Sequence, residues 1–307
     1  MTNTVSLRAL PKLRDSISYL YIEHARIEQE DKSIAIFRES ERYAVPCASL
    51  STLLLGPGTN ITHAAIKTLG DNGCSVQWVG EDSARFYAHG RSPASGTDRL
   101  LHQATVWADP QQRLAIVRRM YTFRFEEVLS DDLTLEQIRG REGVRVRTAY
   151  QRLSKATGVT WNGRNYKQND WDEADPINQA LSTANACLYS VCQTALVTVG
   201  YSPALGFVHT GKPLSFVYDV ADLYKVEITI PAAFETLAEP YFKLGEAVRR
   251  KCREKFVETK LMQRIISDID QVLGYRGNDP APEGICLIWD DRQGEIEGGR
   301  NWGDLAT

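Results

Sequence analysis

Asp219 and Asp222 stand three residues apart in a stretch, Leu214 to Lys225, that is apolar at Phe216, Val217, Val220 and Leu223. Read as a helix, that spacing sets both carboxylates on one face of a largely buried element. Two like charges removed from water repel and lose hydration, and a divalent cation is the usual remedy. His209 lies just upstream, in the turn-prone run Gly206-Phe-Val-His-Thr-Gly-Lys-Pro213. Lys212 and Lys225 flank the acids, as expected where a phosphate approaches a metal. Farther upstream, Arg139 to Lys167 holds eight basic residues and one acid, Glu142. A carboxylate amid arginines is held ionised, which suits a metal ligand as much as a salt bridge. Each feature also has a plainer reading: a surface pair or cap for the two aspartates, a core histidine bonded to backbone, an ion pair on a helix. Taken together they read as a divalent-metal site acting on DNA.

The element that must position this site is the uncharged run from Pro176 through Val208. Asp175-Pro176 is a helix start, and Gly200 followed by Pro203 is a stop. Apolar residues fall on every face between them, so the spacing predicts a central buried helix. Asn178, Gln179, Ser182, Asn185 and Gln193 interrupt it too often for a membrane span. Residues 15–90 read as short alternating strands: Ser16–Ile22, Ser33–Phe37, Tyr43–Cys47, Thr52–Leu55, Ser75–Val79 and Arg85–Ala88, with a helix over Thr62–Leu69. Helical periodicity follows at Leu100–Trp107, Gln111–Phe125, Asp131–Gly140, Glu142–Ala156, Pro231–Leu237 and Gly245–Gly274. The predicted fold class is α+β, an N-terminal β-rich domain with one short helix and then a larger all-helical catalytic domain. The boundaries expected are 1–91 for the first domain, used for dimerisation and DNA-end contact, 92–97 for a linker, 98–280 for the helical domain and 281–307 for a tail. The tail carries one strand-like run, Ile285–Trp289.

A net charge of −3 argues against nucleic acid for the chain as a whole, but the charge is segregated. Besides the Arg139–Lys167 run, Arg249–Lys255 holds five basic residues against Glu254 alone. Such stretches can form a phosphate-binding surface within a neutral total. The six cysteines form no C-x-x-C and sit among apolar neighbours, which fits buried free thiols in a reducing cytoplasm. The first residues contain no apolar run of signal-peptide length.

Four segments carry a likeness to a known family: Arg-Gly-Arg-Glu142-Gly, Trp-Asn-Gly-Arg-Asn-Tyr-Lys, Ile-Asn-Gln-Ala-Leu-Ser-Thr-Ala-Asn-Ala-Cys-Leu-Tyr, and the block from Gly206 to Asp222. They resemble the CRISPR-associated endonuclease and integrase of spacer acquisition, in its subtype I-E branch. The resemblance implies metal ligands at Glu142, His209 and Asp222, with Asp219 as an accessory acid and Mg²⁺ or Mn²⁺ as cofactor. It implies a homodimer, and two such dimers bridged by a small ferredoxin-like partner in a 4:2 complex. The partners it implies are double-stranded DNA with 3′ single-stranded ends and CRISPR repeat DNA, with no membrane. His24 stands where relatives place an aromatic wedge at the duplex end. Phosphate contacts are expected from Arg85, Arg139, Lys212, Lys225, Arg249 and Arg250, and stacking from Tyr166, Tyr189 and Tyr218. The implied reaction is attack of a 3′-hydroxyl on a phosphodiester. A structure-specific repair nuclease and a non-catalytic DNA-binding scaffold are the competing readings.

Overall fold

Strands form where an apolar residue alternates with a polar one, and one such alternation is weak enough to escape the sequence. The computed structural model of the chain describes residues 19–31, 33–38, 41–47, 50–81, 85–90, 96–125, 130, 133–164, 175–277, 287–290 and 294–297. Strands β1 (Tyr19–Ile22), β5 (Thr52–Leu55), β7 (Ser75–Val79) and β8 (Phe86–Gly90) make one sheet in the order β1-β5-β7-β8. The first three run parallel and β8 pairs antiparallel with β7. A second sheet runs β4 (Glu41–Pro46), β3 (Ser33–Arg38), β2 (Arg26–Glu30), β6 (Asn60–Ile61). The sequence reading omits β2 because, in Arg-Ile-Glu-Gln-Glu, Ile27 is the sole apolar residue. Ile27 is nonetheless fully buried and pairs with Ile36 across the antiparallel ladder. Helix α1 (His63–Asp71) begins at Thr62, whose hydroxyl accepts from the Ala65 N–H, and runs through Gly70 rather than ending there. Ala65 and Leu69 of α1 join Ile27, Ile34, Leu53 and Val76 in one apolar core.

The helical part begins with α2 (Asp98–Ala108) and α3 (Pro110–Phe125). The two separate helices expected over Asp131–Ala156 are one, α4 (Leu135–Thr157). Thr134 and Gln137 form a reciprocal capping box at its start, and Gly158 ends it in the left-handed conformation. Gly140 therefore lies inside a helix and costs stability there without breaking it. Helix α5 (Pro176–Val199) runs between the predicted signals, with Asp175 as cap and Gly200 at φ 95°. Its buried residues fall on every face, from Ile177 and Leu181 to Ala195 and Val197. Around it stand α6 (Ser215–Asp222), α7 (Thr229–Ala238), α8 (Leu244–Glu258) and α9 (Leu261–Leu273). The single long run expected over Gly245–Gly274 is divided because Lys260 takes a left-handed φ of 50°, a break with no Gly or Pro to announce it.

The β-rich and helical parts meet through hydroxyls, an amide and an ion pair between Glu81 and Arg249. Thr52 Oγ1 lies 2.8 Å from Thr198 Oγ1, and Gln77 Nε2 donates to the Thr194 carbonyl at 3.3 Å and to Thr198 Oγ1 at 3.1 Å. Gln77 Oε1 is buried there with no partner among the described residues. Among the described residues, the apolar core of the β-rich part includes none from the helices that follow.

Contacts divide the chain into Met1–Tyr275 and Arg276–Thr307. In the second unit, β9 (Leu287–Asp290) and β10 (Gly294–Glu297) pair antiparallel. The tail strand expected over Ile285–Trp289 is thus placed at Leu287–Asp290, while Ile285 and Cys286 lie outside the described residues. No helix among the described residues is long and apolar enough to cross a membrane.

Candidate metal centre

Helix α6 is short and apolar on the side that packs inward, at Phe216, Val217, Val220 and Ala221. Burying that side places Asp219 and Asp222 on the side facing the loop that carries His209. Asp219 is itself buried, and its oxygens are fully used. Oδ2 accepts the N–H groups of Phe207 at 2.6 Å and Val208 at 3.0 Å; Oδ1 accepts the N–H of His209 at 2.8 Å. The imidazole Nδ1 of His209 lies 2.7 Å from the same Oδ1. A carboxylate that takes three backbone donors and a ring nitrogen shapes the loop and orients the ring. The proton is then on Nδ1, and Nε2 is the lone-pair nitrogen of the neutral ring. The Asp219 hydrogen bond raises the His209 pKa above the usual imidazole value, outweighing the burial that lowers it.

Backbone economy explains why the loop takes this path. A Cβ on Gly206 would stand 2.2 Å from the His209 carbonyl oxygen and 2.7 Å from Ser215 carbon atoms, so only glycine fits. Trp107 Nε1 donates to the Gly206 carbonyl at 2.9 Å, and Gln103 Nε2 to those of Ser202 and Leu205 at 3.0 and 3.1 Å.

Glu142 comes from α4 and Asp222 from the end of α6. With His209 and Asp219 they line one cavity of about 390 Å³, closed on the apolar side by Met120, Tyr121, Val208 and Leu223. Arg124, near the end of α3, lines it too. Its Nη1 donates to Glu142 Oε1 and lies 3.9 Å from Asp222 Oδ2. Lys225 Nζ takes the other oxygen of Asp222 at 2.6 Å. Burial pulls the Lys225 ammonium down, but Asp222 and Tyr189 outweigh it and the net shift is upward. Both carboxylates are thus compensated by protein cations.

The donor set of two carboxylates and one imidazole nitrogen fits a divalent ion that accepts oxygen and nitrogen, such as Mn²⁺ or Mg²⁺. The spacing is looser than the donor chemistry. Among the described residues, no three His, Cys, Asp or Glu side chains converge closely enough to grip an ion as they stand. An ion held by all three would need side-chain rotation within the cavity.

Of the predicted DNA contacts, Lys225, Tyr189 and Tyr218 are brought to this place. Lys225 Nζ sits 5.1 Å over the Tyr189 ring, Tyr189 meets Tyr218 edge-on at 5.0 Å, and Tyr218 meets His209 at 5.9 Å. Lys212 is exposed on the same loop as His209. Arg249 and Arg250 are not at the cavity. They lie on α8, where Arg249 pairs with Glu81 at 3.3 Å and Arg250 lines a separate hollow with Arg253 and Glu246. Arg85 is exposed just before β8. His24 is exposed at φ 50°, its ring against Gly58, where an added Cβ would meet Nδ1 at 2.5 Å. Tyr166 and the side chain of Arg139 lie outside the described residues. Sequence reasoning missed Arg124, which belongs to a helix read only for its apolar period. It also passed over the alignment of Arg141, Arg145 and Arg152, which edge a hollow of about 590 Å³ floored by Phe125, Val144 and Val226. Their spacing, one helical face over three turns, is visible once α4 is read as continuous.

The comparisons with known proteins agree along the chain. The model of the family described as CRISPR associated protein Cas1 matches residues 18–129 and 122–270. A CRISPR-associated endonuclease Cas1 of Thermus thermophilus is 48% identical over 305 residues, covering 97% of this chain and 94% of the relative. A CRISPR-associated endonuclease Cas1 of a Clostridium species is 43% identical over 297 residues, covering 95% and 98%. The crystal structure of a TtCas1–DNA complex superposes with a TM-score of 0.79 at 50% identity, over 87% of this chain and 100% of that one. With the family pattern spanning both the β-rich part and the helical part that holds Glu142, His209 and Asp222, the chain belongs to the Cas1 family of CRISPR-associated endonucleases.

Proposed function

We propose that this chain is a divalent-metal-dependent DNA integrase and endonuclease of CRISPR adaptation, of the subtype I-E branch, acting in the cytoplasm. It joins the 3′-hydroxyl ends of short DNA segments into the repeat array by transesterification. The observation that carries this reading is that Glu142, His209 and Asp222, from three separate elements, line one cavity beside Lys225 and two tyrosines. The TtCas1 structure, bound to DNA, adds support for a DNA substrate.

Glu142, the Nε2 of His209 and Asp222 would hold the ion. A bound Mg²⁺ or Mn²⁺ would supply positive charge at the phosphodiester and make the attacking hydroxyl more acidic. Asp219 keeps the imidazole proton on Nδ1 and holds the loop at Phe207, Val208 and His209, so it is a positioning residue. Lys225, with Lys212 at the loop, favours the approach of a phosphate. Tyr189 and Tyr218 offer ring surface to an unpaired 3′ end. One phosphodiester is exchanged for another, so no nucleotide hydrolysis is needed. The working assembly is a homodimer, paired with a second dimer through a small ferredoxin-like protein.

The test supplies a short duplex with 3′-hydroxyl ends and a supercoiled plasmid bearing the repeat, with Mn²⁺ or Mg²⁺. Joined product that disappears with EDTA supports the proposal. Cutting without joining moves the assignment to a repair nuclease, and binding without product to a scaffold.

A further inference from the structure

Arg124 has no part in the reaction as derived so far, yet it stands between the two carboxylates that would hold the ion. Its guanidinium donates to Glu142 Oε1 and lies 3.9 Å from Asp222 Oδ2. Only 10% of its side chain is exposed, and its Nε is buried with no partner among the described residues. Lys225 holds the far oxygen of Asp222 at 2.6 Å. Glu142 and Asp222 therefore carry two negative charges, already matched by two protein cations. An incoming divalent ion brings two more positive charges to the same oxygens. Lys225 approaches Asp222 from outside the pair and can stay. Arg124 bridges the pair and stands where the ion must go.

Resting on the metal reading of this cavity, we propose that Arg124 is a built-in stand-in for the metal. In the metal-free protein its Nη1 is bonded to Glu142 Oε1 and lies within ion-pair range of Asp222 Oδ2, so one fixed positive charge holds the two carboxylates together. The divalent ion binds by displacing it. A displaced guanidinium in a site this enclosed needs a new anion, and a non-bridging oxygen of a DNA phosphate is the anion that arrives with the substrate. Nε, without a partner among the described residues, is an unspent donor for it. Metal and DNA phosphate are therefore coupled through Arg124: each makes room for the other, and the coupling is reciprocal. This keeps the site from being a strong metal binder before DNA is present.

The test is direct Mn²⁺ binding, read by electron paramagnetic resonance, with and without a short duplex blocked by 3′-deoxy ends. For the wild-type chain, the duplex should tighten Mn²⁺ by about tenfold, within the usual range of such couplings. Arg124→Met removes the competing charge. It should bind Mn²⁺ about tenfold more tightly than wild type without DNA, and gain less than about threefold when DNA is added. Lost folding or a merely structural role would weaken Mn²⁺ binding, the opposite direction. Arg124→Lys keeps the charge but carries it on a shorter, flexible stem that holds the two carboxylates together less well, and should tighten Mn²⁺ by about threefold. Folded variants that bind Mn²⁺ no more tightly than wild type overturn the inference, and so does a variant whose coupling to DNA persists undiminished. A wild-type chain that takes up no Mn²⁺ with or without DNA overturns the metal reading itself.

Discussion

Replacing Asp219 by asparagine removes one charge and changes almost no volume, yet it undoes the loop that carries His209. The carboxylate accepts four hydrogen bonds, two on each oxygen, from the backbone at Phe207, Val208 and His209 and from the His209 ring. An amide offers one oxygen. Turned toward Phe207 and Val208, it points its NH₂ at the backbone N–H and ring N–H of His209, donor against donor. Two charge-assisted bonds are lost, at about 1.5–3 kcal/mol each. The ring is half exposed and can turn to water, so its share is discounted; about 3 kcal/mol of destabilisation remains. For a chain of this size that is a fall in melting temperature of about 6 °C. The imidazole pKa must fall as well, because the bond that raises it is gone and the burial that lowers it is not. The pH dependence has a definite sign. A folded-state pKa above the unfolded value contributes stability in full below the unfolded pKa and loses it as pH rises through the folded one. The gap in melting temperature between wild type and Asp219→Asn should therefore narrow as pH rises from about 6 through the raised pKa. Thermal melts across that range, with an NMR titration of the His209 ring, read both quantities. A variant that melts within about 1 °C of wild type and leaves the ring titration unmoved would refute the hub role given to Asp219.

Asp222→Ala should reduce strand joining by about a hundredfold or more while leaving duplex binding in place; a fully active variant would remove Asp222 from the site. Mn²⁺ requires the neutral ring, so its affinity should decline as pH falls through the raised His209 pKa, by up to tenfold per pH unit. In His209→Ala that pH dependence should flatten, and an unchanged profile would mean that His209 is no ligand. Gly206→Ala drives a methyl into the His209 carbonyl and should cost about 1–3 kcal/mol, with a matching loss of Mn²⁺ affinity; a melt equal to wild type would show that the loop can yield. Arg145→Ala, at the hollow beside the cavity, should reduce the slope of log affinity for duplex against log salt by about 0.9. An unchanged slope would place the DNA backbone elsewhere.

Much of the site is local chemistry and could be read from the chain. Asp219, Asp222, His209 and Lys225 belong to one short stretch, and the Asp175 cap and Gly200 stop framed the central helix to the residue. Glu142 was singled out as an acid in a basic run, but its meeting with Asp222 is a tertiary fact. What escaped was decided by tertiary contact. Strand β2 is held by its neighbours on both sides although its own alternation is nearly all polar. Helix α4 carries a glycine where isolated propensity predicts a boundary, and splitting it there left Arg141 off the helix that carries Arg145 and Arg152. Arg124 was invisible because nothing in Arg-Met-Tyr-Thr-Phe-Arg-Phe tells which arginine turns inward.

The join between Thr52, Gln77, Thr194 and Thr198 bears on how the molecule can move. Greasy joints resist opening because water must wet oil; a joint of hydroxyls resists far less, since water replaces each lost bond at a net difference of about 1 kcal/mol. Gln77 Oε1, unpaired when the joint is shut, even gains a partner when it opens. With the Glu81–Arg249 ion pair as its other polar link, this join is expected to open at lower cost than either core, and a pull on β5 or β7 would reach α5, which packs on the helix of the candidate cavity. Exchange of the Gln77 side-chain amide that is much faster than backbone exchange in the centre of α5 would be the mark of that opening; equal protection on both sides would mean the joint is locked.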